Sequence, residues 1–374
     1  MKRRALLLLG ALLMPSVVHA RTVRKTAKQA RPAAHKAVTH KAPAAAAHKP
    51  APAKAKPAPA KPAGLQPLKE AKTQLIAFNS SAFPYRGRIP GTNKPFLDAR
   101  QGKRLGHTTA RGDVCWEDQT YSDRRSLLYL PAGYNARLPG LIVLFLHGQG
   151  ATLERDVQAR QGIPRQIADS GQNVALVAPQ LAFDAPDSSA GNFWKPGHLA
   201  AYIDEAAERL MRLYGDKRVG PHFNAAGVVI VSYSGGYLST AYSLLYGGAA
   251  HRIKGVILMD SLYGEEEKVA AWAAARRRLA FLLSAYTEST KDENANLRGL
   301  LAKRRIPHAD ALPKALTPGT FAFVSCGSLD MHGDFMTRAW APDPLKQALT
   351  MIPGYPMVRD QGVRPPPVHA KKRA

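Results

Sequence analysis

Six short apolar runs limit what this chain can fold into: residues 141–146 (LIVLFL), 174–177 (VALV), 228–231 (VVIV), 255–259 (GVILM), 279–285 (LAFLLSA) and 320–325 (TFAFVS). Each is continuous rather than alternating, the pattern of a strand buried on both faces. Helix-length segments separate them, including the amphipathic stretch 198–213, whose Leu199, Tyr202, Ile203, Ala206, Leu210 and Leu213 share one face. Strands and helices alternating in this way predict an α/β fold with a mostly parallel central sheet flanked by helices. In such sheets, sites lie at the carboxyl ends of the strands.

The charge is unevenly spread. Of 53 Lys/Arg and 27 Asp/Glu in 374 residues, the first 70 carry 15 basic side chains and one acidic, Glu70. The net charge of +26 is therefore largely a property of one end, which argues against a specific nucleic-acid-binding domain. Residues 1–20 read as a signal peptide: Lys2, Arg3 and Arg4, an apolar stretch too short to span a bilayer, then Val18-His19-Ala20. Residues 21–74 repeat Ala, Lys and Pro, with too little apolar surface to offset the entropy of ordering, and read as a disordered basic linker. It either holds the folded part near an anionic envelope surface or is only a solvated tether. Residues 75–352 form the expected domain, with irregular sequence to 106 and opening strands at 109–121 and 125–130. Residues 353–374, rich in Pro and basic residues, read as a disordered basic tail. The expected location is periplasmic or secreted, with no transmembrane span in the mature protein. There Cys115 and Cys326 are either one disulfide or two small buried hydrophobes. No zinc-type spacing such as CxxC or HExxH occurs, so no metal is expected.

Three motifs end apolar runs. The first run leads into His147-Gly148-Gln149-Gly150. The third leads into Ser232-Tyr233-Ser234-Gly235-Gly236 and then a helix-like segment, 237–245. The fourth leads into Asp260-Ser261-Leu262-Tyr263-Gly264. A late histidine, His332, follows the last run by a few residues. Together these resemble the α/β-hydrolase superfamily over roughly residues 125–341. The serine segment is similar to its nucleophile elbow, G-x-S-x-G, with Ser232 in place of the first glycine.

A serine hydroxyl is a weak nucleophile and needs a base within reach and an acid that orients the base. The resemblance implies Ser234 as nucleophile, His332 as base, and backbone N–H donors for the oxyanion at Gly235 and Gln149. Two carboxylates compete for the third place. Glu288 follows the next strand, the commoner family position, but Thr287, Ser289 and Thr290 around it suit a helix cap. Asp260 ends an apolar run without any such local reason and is preferred. Trp194, Tyr233, Tyr237 and Tyr263 stand near strand ends, and residues 183–197 form a polar loop that could border a pocket. The expected function is an exported serine hydrolase that cleaves a carboxylic ester of a small molecule or polymer by two-step acyl transfer, without a cofactor. The alternatives are an amidase or peptidase acting on envelope material, and a non-catalytic envelope-binding protein on a hydrolase scaffold.

Overall fold

The computed structural model describes residues 64–357. The expected leader and the greater part of the expected linker and tail lie outside those residues. Eleven strands follow in chain order: β1 (Lys72–Ala77), β2 (Ala99–Gln101), β3 (Arg104–Thr108), β4 (Val114–Trp116), β5 (Arg125–Leu130), β6 (Leu141–Leu146), β7 (Val174–Pro179), β8 (Gly227–Tyr233), β9 (Ile253–Met259), β10 (Phe281–Tyr286) and β11 (Phe321–Ser325). Eight make one sheet in the order β1-β5-β7-β6-β8-β9-β10-β11. β5 runs antiparallel to both its neighbours, and every pairing from β7 to β11 is parallel.

The continuous apolar runs are continuous because each feeds two cores. Ile142, Leu144, Val228, Ile230, Val256, Leu258 and Leu282 face one side, where they pack with the helix His198–Tyr214 through Leu199, Tyr202, Ile203, Ala206 and Leu210. Their neighbours Leu141, Val143, Phe145, Val229, Val231, Ile257 and Leu283 face the other, against Leu153, Val157, Ile163, Ile167, Leu345 and Leu349. A strand wetted on either face would alternate. The run at 279–285 starts later than its sequence suggests, because Leu279 is 54% exposed and the strand opens at Phe281.

The amino-terminal part departs from expectation. The strand expected at 109–121 is reduced to the three residues of β4, and Glu117–Thr120 is a helical turn. A tight turn precedes β4, with Thr109 N–H donating to Asp113 O (2.8 Å) and Gly112 N–H to Thr109 O (2.9 Å). The stretch expected to be irregular instead supplies β2 and most of β3, which form the antiparallel arm with β4, and β1, at the edge of the large sheet, opens at Lys72 within the expected disordered linker. β2, β3 and β4 are short, and β1 and β2 carry polar side chains that are partly exposed, so none of the four has the apolar signature of the interior strands. The arm is nonetheless firmly seated. The Phe96 ring stacks on His107 at 4.3 Å and meets Tyr121 edge-on at 4.9 Å, and Arg104 pairs with Asp118 at 2.8 Å. At the other end, Asn173 N–H donates to Tyr355 O (2.6 Å) and Met357 N–H to Gly171 O (2.8 Å), so the body extends five residues past 352. Cys115 and Cys326 are both free thiols. Among the described residues, no helix is long and apolar enough to cross a membrane.

Candidate active site

The parallel strands aim their carboxyl ends at one region, and the turn after β8 is its centre. Ser234 has φ of +50°, a left-handed conformation that costs a non-glycine residue on the order of 1–3 kcal/mol. The strain lifts the hydroxyl out of the strand and starts the helix Tyr237–Tyr246 close behind it. Close approach leaves no room for side chains there. A Cβ on Gly236 would sit 2.4 Å from Leu146 O, and one on Gly148 would sit 2.8 Å from the Ser234 Cβ. Ser232, where the hydrolase pattern has glycine, puts its hydroxyl to use. It bonds the Ser261 hydroxyl at 2.6 Å, and that hydroxyl donates to Ser234 O at 2.8 Å, tying the strained peptide to the loop after β9.

Ser234 Oγ lies 2.9 Å from His332 Nε2, and His332 Nδ1 donates to Asp260 Oδ2 at 2.6 Å. Asp260 is fully buried and also left-handed, with φ of +45°. Its Oδ1 accepts from Thr287 N–H (3.0 Å) and the Thr290 hydroxyl (2.7 Å). Oδ2 additionally accepts from the hydroxyls of Thr287 (2.8 Å) and Ser289 (2.9 Å). Burial alone would push this carboxyl up; the bonds from His332, Thr287 and Thr290 outweigh it and hold the pKa at about 2. Glu288 sits beside these donors but is exposed, with its own N–H on Gly327 O (3.2 Å), and among the described residues no bond joins its carboxylate to His332. The 287–290 segment is a helix cap, with the Thr287 hydroxyl accepting from Ser289 N–H at 3.1 Å, and it also surrounds Asp260 with donors. Asp330 is taken up locally by the Ser328 hydroxyl.

The histidine's own loop is fixed by a residue whose role the sequence did not disclose. The Tyr233 hydroxyl donates to His332 O at 2.7 Å, and its ring stacks on the imidazole at 5.4 Å. Tyr263 approaches the same imidazole edge-on at 6.1 Å.

The HGQG turn after β6 faces the serine. His147 Nδ1 donates to Gly148 O (2.8 Å), while Nε2 accepts from Leu181 N–H and from Gln180 Nε2, both at 2.9 Å. Only the neutral ring with its proton on Nδ1 satisfies all three contacts. The Gln149 N–H has no hydrogen-bond partner among the described residues and would lie 3.1 Å from a Cβ on Gly235. The two backbones thus adjoin beside Ser234.

No family model matches this sequence, and no curated protein matches it. Solved structures do. One is a mutant feruloyl esterase module from Clostridium thermocellum complexed with sinapinate, at 14% identity over 72% of this chain and 94% of that one, TM-score 0.39. Another is an S-formylglutathione hydrolase from Agrobacterium tumefaciens, at 13% identity over 71% and 99%, TM-score 0.35. A third is a thermostable esterase from Pseudomonas putida, at 13% identity over 68% and 82%, TM-score 0.36. Likenesses this distant carry no weight for activity, whereas this chain's own strand order and elbow define its architecture. The chain has the α/β-hydrolase fold.

In this fold the elbow opens on a cleft of about 360 Å³ around Ser234 and His332, walled by Arg111, Gln149, Ser188, Gly235, Tyr237 and Tyr263. Gln149 Nε2 donates to the Ser188 hydroxyl at 2.9 Å, which brings the 183–197 loop to the rim as its polarity suggests. Of the four aromatics near strand ends, Tyr237 and Tyr263 line the cleft, and Trp194 is buried 5.4 Å from the Tyr85 ring. Arg111 carries no local motif that would have pointed to it. Among the described residues, no group of three or more His, Cys, Asp or Glu is placed to hold a metal ion.

His147 is fully buried, and burial pushes its pKa down from 6.5 to about 4. Because the folded value is the lower one, the unfolded chain binds the extra proton between these values. Stability therefore falls as pH drops from 6.5 to 4, by on the order of 3 kcal/mol for this group. A histidine-resolved NMR titration is expected to place His147 near 4; titration near 6.5 would contradict the buried neutral ring.

Proposed function

We propose that this protein is a serine hydrolase that cleaves carboxylic esters by two-step acyl transfer. The observation that carries the reading is the unbroken hydrogen-bonded line from Ser234 Oγ through His332 to the buried Asp260 carboxylate, with the serine held at positive φ on an elbow. Ser234 Oγ attacks the substrate carbonyl carbon as its proton passes to His332 Nε2. Asp260 keeps the imidazole oriented and stabilises the imidazolium. The N–H groups of Gly235 and Gln149 receive the oxyanion; removing one such donor typically costs about 10²–10³ in rate. His332 then gives its proton to the departing alkoxide as the C–O bond breaks. Water, deprotonated by His332, attacks the acyl-enzyme; collapse frees the acid, and Ser234 regains its proton. An ester demands less of this set than an amide, because an alkoxide leaves more readily than an amine anion.

Export is part of the proposal and is supported by the basic, apolar and small-residue order of residues 1–20. Sequencing of the mature protein is expected to find Arg21 at its amino terminus; an intact Met1 would contradict export by cleavage.

The activity is tested with a 4-nitrophenyl ester. Asp260→Asn is expected to lower kcat by roughly 10³–10⁴, as loss of the orienting carboxylate does in such triads, while Glu288→Gln stays within about twofold. Equal losses in the two variants, or a loss confined to Glu288→Gln, would overturn the assignment of the acid.

A further inference from the structure

Acyl transfer at Ser234 does not use the whole cleft. Arg111 stands at the tip of the turn between β3 and β4 and reaches the same cleft as Ser234 and His332. It is exposed, and among the described residues no carboxylate or carbonyl takes its guanidinium. Three other arginines near the arm are committed, Arg86 to Glu117 at 2.8 Å, Arg104 to Asp118 at 2.8 Å and Arg125 to Asp123 at 2.7 Å, while the guanidinium of Arg100 on β2, like that of Arg111, has no partner among the described residues but does not line the cleft. No carboxylate lines the cleft among the described residues, and two of the acids near it are already bonded. Asp187 accepts the hydroxyls of Tyr121 and Ser189, each at 3.0 Å, and Glu265 pairs with Lys268.

The arm that carries Arg111 is seated, as the Phe96, His107 and Tyr121 packing shows, so the guanidinium is presented from a fixed base. The rest of the wall is polar. Gln149 offers an amide, Ser188 a hydroxyl, and Tyr237 and Tyr263 phenols; among the described residues no aliphatic side chain lines the cleft. A site for an alkyl chain would be walled by Leu, Val or Phe. An uncommitted guanidinium offers a planar fork of donors that matches a carboxylate.

We propose that Arg111 is a specificity-determining residue that pairs with a carboxylate carried by the ester substrate. The inference rests on the ester hydrolysis proposed above and narrows it to acidic esters. Two matched pairs test it: mono(4-nitrophenyl) succinate against 4-nitrophenyl butyrate, with the charge on the acyl side, and 4-carboxyphenyl butyrate against phenyl butyrate, with the charge on the alcohol side. The wild type is expected to prefer the anionic member of at least one pair. Arg111→Ala is expected to lower kcat/KM for that ester about 10- to 100-fold, mainly through KM, with less than a twofold change for its neutral partner. Arg111→Lys is expected to keep part of the preference. Cleavage of the neutral esters without preference for either acid, or equal losses on both members of a pair, overturns the role of Arg111 and leaves the ester reading standing. Failure of the wild type on all four esters overturns both.

Discussion

A buried carboxylate without a permanent cation beside it is the constraint on which the rest of this site depends. An isolated charge in the interior is expensive unless hydrogen bonds take over the work of water. Asp260 meets that cost with one backbone N–H, three hydroxyls and the His332 imidazole. These donors come from the segment after β10 and from the loop after β11, so satisfying the carboxylate at the end of β9 also sets the separation of β9 and β10 and the position of the histidine loop. The left-handed backbone at Asp260, more tolerable for aspartate than for most residues, turns the carboxylate back toward that loop.

The elbow obeys a matching constraint from the other side. Strand and helix approach so closely at Gly236 that the turn has no slack, and its strained peptide at Ser234 is secured through Ser261 and Ser232. A glycine in place of Ser232 could not make that bond. The departure from the common pattern thus trades backbone freedom for a tether. His147 serves the facing turn in the same way: a neutral, fully bonded ring sets the path of Gly148 and Gln149 beside the serine.

The interior of the sheet was legible because burial on both faces leaves a continuous apolar run, and β6 occupies the residues that LIVLFL marks. β1 and the arm were not, since edge strands with polar, exposed side chains resemble loops. Asp260 was conspicuous as an acid closing an apolar strand with no local partner. Its ring of donors was not, because Thr287, Ser289 and Thr290 have an equally good local use as a cap, and only the fold shows where their hydroxyls turn. Tyr233 and Arg111 show the same limit: each acts across a long sequence separation that no spacing encodes. The Gly148 turn facing Ser234, by contrast, was marked by its glycines.

All of the proposed chemistry starts from Ser234 acting as a nucleophile activated through His332. Fluorophosphonate labelling of the folded protein, with peptide mapping of the adduct, tests it most directly. A single adduct on Ser234 is expected, absent in Ser234→Ala and formed far more slowly in His332→Ala. A folded wild-type protein that takes no label, or takes it on another residue, would contradict it.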